Sequence, residues 1–64
     1  MITGISVDPH IHFGKPIVTG TRITVENVLE LVKQGISFHQ IQEDFYPDLR
    51  TVDIQACIQF ATVA

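Results

Sequence analysis

The sequence predicts a mainly α fold: three short helices in a helix-turn-helix-like domain, carrying an N-terminal β ribbon. Two observations predict it. From Thr24 onwards, apolar residues recur at helical spacing in three runs, each opened by a hydroxyl residue: Thr24, Ser37 and Thr51. Before Thr24, apolar residues come in short β-branched stretches punctuated by Gly and Pro. The 64 residues make one domain, with the ribbon over 1–23 and the tri-helical part over 24–64.

In the ribbon, the stretch from Ile2 to Val7 alternates loosely, with Ile5 and Val7 on one face. Asp8-Pro9 is a turn signal. Ile11 and Phe13 then stand at strand spacing, with His10 and His12 between them. Pro16 fixes its own φ and biases Lys15 towards an extended conformation. Ile17-Val18 is a second strand, Thr19-Gly20 a turn with Gly20 at positive φ, and Arg22-Ile23 a short extension into Thr24. A lone hairpin is marginal in water, and so short a chain buries only about 60% of its unfolded surface. The edge formed by Ile5, Val7, Ile17 and Val18 is therefore expected to pair with a second copy, giving a homodimer.

Thr24 caps the first helix, with Ile23 and Val28 as a hydrophobic staple. Val25, Val28, Leu29 and Val32 form its apolar stripe, flanked by Leu31. Gly35 ends it in an αL conformation, with Ile36 folding back on Leu31 in a Schellman motif. Ser37 and Gln40 form a capping box for the second helix, which sets Phe38, Ile41 and Phe45 on one face and ends before Pro47. Thr51 caps the third. Its inner stripe is Ile54, Cys57, Ile58 and Ala61, with Gln55, Gln59 and Thr62 facing out.

Composition narrows the function. An apolar content of 45% is too high for disorder. No apolar run reaches the roughly 20 residues of a membrane span, and no basic segment precedes an apolar one as in a secretion signal. The single Cys57 makes no internal disulfide, which fits a cytoplasmic protein. Seven acids against four strong bases give a net charge of -3. That balance disfavours bulk binding of nucleic acid and suits a basic partner, reached through the outward acids Glu30, Glu43, Asp44 and Asp48.

No grouping of residues reads as a catalytic or cofactor site. His10, His12 and His39 lack the further ligands of a zinc site. Cys57 lies on an inner helix face with no local base. Glu43 and Asp44 point about 100° apart on a helix. Gly14-Lys15-Pro16 lacks the spacing of a phosphate loop. Helix three could read DNA through Arg50, Thr51, Gln55 and Gln59, with Lys15 and Arg22 as a second basic patch. Asp48 and Asp53 flank the same surface and repel phosphate, and the Tyr46–Arg50 loop exceeds the usual 3–4 residue turn. The residues leave a protein-binding and a DNA-binding domain both open.

The string Gly14-Lys15-Pro16-Ile17, Gly20-Thr21-Arg22-Ile23-Thr24, following Asp8-Pro9, resembles the family called domain of unknown function 433. The similarity continues through Val28-Leu29-Glu30-Leu31, Gly35-Ile36-Ser37, Tyr46-Pro47 and Asp53-Ile54, covering Ile5 to about Ala61. The resemblance implies a homeodomain-like helix-turn-helix and an antitoxin of the VapB type. Such a protein neutralises a nuclease toxin with a PIN-like fold and represses its own operon. The competing reading is a scaffold domain that binds no DNA. The chain departs from the family pattern at Asp44-Phe45-Tyr46-Pro47, one residue longer, which is expected to lengthen the loop before helix three. Phe60 stands where the family has Tyr. Many members carry a longer C-terminal tail; this chain stops at Ala64, so a toxin-embracing extension is expected to be absent.

Overall fold

The computed structural model describes residues 3–63, so Ile2, read as part of the first strand, lies outside the described residues. Two strands, β1 (Ile5–Ser6) and β2 (Ile17–Val18), precede three helices. These are α1 (Val25–Lys33), α2 (Phe38–Gln40), which runs straight into a π turn (Ile41–Phe45), and α3 (Thr51–Val63). The fold is mainly α with a two-stranded antiparallel sheet. No helix among the described residues is long and apolar enough to cross a membrane.

The sheet pairs Ile5 with Val18 and Ser6 with Ile17. On its other side β2 is covered by the chain's own return: the Val18 N–H donates to the Ile23 carbonyl at 2.9 Å, and the Val25 N–H to the Pro16 carbonyl at 3.0 Å. Thr21 closes this turn. Its hydroxyl donates to the Val18 carbonyl at 2.8 Å and accepts from the Ile23 N–H at 3.0 Å. The expected open edge is thus corrected at β2, which is flanked on both sides. Ile5 and Ile17 are 3% exposed and Val18 is 1%, so three of the four side chains assigned to a dimer edge lie in the core of a single chain. Val7 alone of the four is exposed.

The strand spacing of Ile11 and Phe13 is also corrected. The Asp8 carboxylate accepts the His10 N–H at 2.8 Å and the Asp8 carbonyl accepts the Ile11 N–H at 2.9 Å, so the chain turns before a strand can extend. A 3-10 turn follows over His12–Gly14, with φ of 49° at His12, 58° at Phe13 and 81° at Gly14. A left-handed conformation costs an L-residue about 1–2 kcal/mol.

The helix ends follow local chemistry. The Thr24 hydroxyl accepts the Asn27 N–H at 3.1 Å. At the other end of α1, the Ile36 N–H donates to the Leu31 carbonyl at 3.2 Å and the Gly35 N–H to the Val32 carbonyl at 3.0 Å, the two bonds of a Schellman motif. Gly20 and Gly35 sit at φ of 83° and 85°. Gly35→Val should therefore cost about 1 kcal/mol or more in urea unfolding, because a β-branched residue fits this region poorly although nothing crowds the added Cβ. An unchanged midpoint would mean that the αL cap contributes nothing.

The second helix differs from expectation. Ser37 caps it, accepting the Gln40 N–H at 3.1 Å. After one turn the pattern shifts: the Tyr46 N–H donates to the Ile41 carbonyl at 2.8 Å, five residues back. A π turn holds one residue more than an α turn. The π turn thus takes up one residue more than α-helical spacing before Tyr46-Pro47, and residues 46–50 remain as the connector to α3. The same shift turns Phe45 outward; it is exposed, not buried with Ile41.

The connector to α3 is pinned at Leu49, which is buried, and by Gln42. The Gln42 amide donates to the Leu49 carbonyl at 3.2 Å and to the Thr51 hydroxyl at 3.3 Å. Thr51 is therefore the first helical residue, not the cap. The capping interaction runs backwards from Asp53, whose carboxylate accepts the Arg50 N–H at 2.9 Å. Helix α3 buries Asp53, Ile54 and Cys57 and packs against α1 and β1. Ala61, assigned to the inner stripe, is exposed. The core comprises Ile5, Ile17, Val18, Val25, Val28, Ile41, Leu49, Ile54 and Cys57.

Candidate functional site

Charge on the surface is set by which carboxylates have cations. Arg50 grips Asp53 with two bonds, Nε to Oδ2 at 3.2 Å and Nη2 to Oδ1 at 3.1 Å. The hydrogen bond from Arg50 holds the Asp53 carboxyl below its ordinary range, against the opposing effect of burial. Lys15 lies 3.5 Å from Glu26. Among the described residues these two pairs engage half of the four strong cations, leaving Arg22 and Lys33 without a carboxylate. Both residues are exposed.

The acids outside those pairs include all four assigned to a partner surface. Glu30, Glu43, Asp44 and Asp48 are exposed. Glu43 is 3.2 Å from His39, and Glu30 accepts a bond from Gln34 at 3.4 Å. Three of them, Glu43, Asp44 and Asp48, fall within six residues around the π turn, and the exposed Phe45 stands among them. Sequence reasoning found these acids but missed Phe45, because helical periodicity put it inside.

The residues assigned to DNA lie apart in role. Thr51, Gln55 and Gln59 are exposed along the outer face of α3. Gln55 and Gln59 are one turn apart. The guanidinium of Arg50 is exposed but its fork is turned to Asp53. Lys15 has Glu26 as its neighbour. Cys57 is fully buried, and burial, aided by the Asp53 charge, pushes its thiol up to about 11, so it stays protonated at neutral pH and packs as a small apolar group.

Two hollows share one face. The first, of about 300 Å³, is formed by the apolar groups of Pro16, Leu29, Phe60 and Ala61. The second, of about 230 Å³, lies under Phe13 and His12, beside Thr24 and Asn27. Lys15 and Glu26 line both and form the wall between them. Phe13 itself is 100% exposed. Sequence reasoning gave Lys15 on this face a place in a basic patch but did not find the hollows. The signal was Phe60-Ala61 continuing the apolar pattern past the last buried residue of α3.

The sequence model of a family described as "Protein of unknown function (DUF433)" matches residues 5–61. No curated protein and no solved structure gives a significant match.

Proposed function

The chain belongs to the DUF433 family, and from that premise we propose that it is an antitoxin of a type II toxin–antitoxin pair. In this reading it binds and neutralises a PIN-like nuclease in the cytoplasm. The observation that carries the proposal is the exposed Phe45 set among Glu43, Asp44 and Asp48. An exposed aromatic flanked along the chain by exposed acids suits a basic protein surface and repels RNA. A nuclease that grips RNA needs a positive channel, so the two surfaces are complementary. Neutralisation then consists of covering that channel.

Co-expression with the product of an adjacent toxin-like reading frame tests the proposal, scored by rescue of growth and by co-purification. Replacing Glu43 and Asp44 together by Lys should slow association about tenfold or more at low salt and flatten its salt dependence, with the helical circular dichroism unchanged. If no nuclease-like protein is captured and growth is not rescued, a general interaction domain replaces this reading.

Repression of the operon through a helix-turn-helix is the second part of the proposal. It is favoured by the exposed pair Gln55 and Gln59 beside Thr51, the arrangement a major-groove reader needs. With Arg50 turned to Asp53, phosphate contacts would fall to Lys15, Arg22 and an Arg50 released from its pair. Binding should then be weak and steeply salt-dependent. Failure to shift promoter DNA at low salt, with the toxin bound, removes the repressor role.

A further inference from the structure

We propose that the Phe13 loop and the hollow beside it form a two-fold self-association face, in which Phe13 of each copy fills the apolar hollow of the other. Phe13 is fully exposed, and left-handed backbone at His12, Phe13 and Gly14 holds it away from its own chain. A large aromatic side chain left wholly in water loses the burial that normally places it. Its own chain offers a receptor of matching chemistry: Leu29, Phe60, Pro16 and Ala61 leave a hollow of about 300 Å³ that no side chain of this molecule fills.

The arrangement favours a second copy of this chain over another occupant. An isologous contact needs knob and hole on one face, so that each copy gives and receives the same contact. The shared wall of Lys15 and Glu26 places them so. That wall carries one cation and one anion at 3.5 Å. Two such walls meeting across a two-fold axis can set opposite charges face to face, so the contact has no net charge to overcome despite the chain's -3. The acidic residues Glu43, Asp44 and Asp48 line neither hollow. A small specific interface takes about 600–800 Å² from each partner. That is roughly a seventh to a fifth of the 4316 Å² surface here.

Sedimentation equilibrium of the purified chain alone tests this, independently of any nuclease. The wild type should be dimeric at micromolar concentration. Phe13→Ser should raise the dimer Kd at least about tenfold, and Ala61→Arg, which blocks the hollow, should do the same. Both positions are exposed, so melting of the monomer should be unchanged. Mixing the two variants should recover a heterodimer, because one knob and one hole remain intact across the pair. A monomeric wild type at 100-fold higher concentration overturns the proposal, as does a dimer that neither variant weakens. It is equally overturned if both variants self-associate normally but lose capture of a nuclease, which would make the hollow a toxin site.

Discussion

Ile17→Lys should unfold the isolated chain at room temperature. The side chain is 3% exposed, between β1 and the returning segment at Thr24. Losing its burial costs about 2–3 kcal/mol. An ammonium left in its place, with no carboxylate opposite, adds several kcal/mol of desolvation unless it loses its proton. A domain of this length has roughly 3–10 kcal/mol of stability in all, at 0.05–0.15 kcal/mol per residue. Loss of helical circular dichroism and of a cooperative melt is the expected result. Val7→Lys is the control: half-exposed on the same ribbon, it should change stability by no more than about 0.5 kcal/mol. A folded Ile17→Lys chain melting near the wild type would mean that β2 does not sit in the core.

The contrast between Ile17 and Val7 shows where the sequence was readable. β-branched residues with turn signals identified β2, since propensity and punctuation are local. Whether its second edge was open depended on Thr21, Ile23 and Val25 folding back along it, and no strand periodicity encodes that return. Caps were legible for the same local reason: Thr24, Ser37 and Gly35 each bond within three to five residues. Thr51 misled because two groups competed for one helix start. Asp53 reaches back to Arg50, while the Thr51 hydroxyl is taken by Gln42, nine residues away. Phe45 failed because 100° periodicity assumes an unbroken α-helix, and one π turn shifts every later position. The acid surplus was visible in composition. Its concentration around an exposed aromatic required that shift, and the Phe13 face required three successive positive φ values.

Asp53→Ala should be the most damaging change at a charged position. Asp53 is 6% exposed and accepts three bonds from Arg50: one from the backbone N–H, which opens α3, and two from the guanidinium. Removing a helix cap costs about 0.5–2 kcal/mol, and the upper end applies where the acceptor is charged and buried. A loss near 2 kcal/mol corresponds to a melting temperature lower by roughly 8–16 °C in a domain of this size. Arg50→Ala keeps the backbone bond and should cost clearly less. Acid titration separates the charge from the shape. Because folding lowers the Asp53 pKa, its contribution is complete above the unfolded value, near 3.9, and is lost as pH falls through the folded value. Wild-type stability should therefore drop on acidification below about pH 4. Asp53→Asn, isosteric but uncharged, should start lower at neutral pH and lose less on the way down. Parallel urea titrations from pH 7 to pH 2 measure both slopes. Identical slopes for the two proteins would mean that the Arg50 pair does not hold the start of α3, and that Arg50 is free to meet phosphate after all.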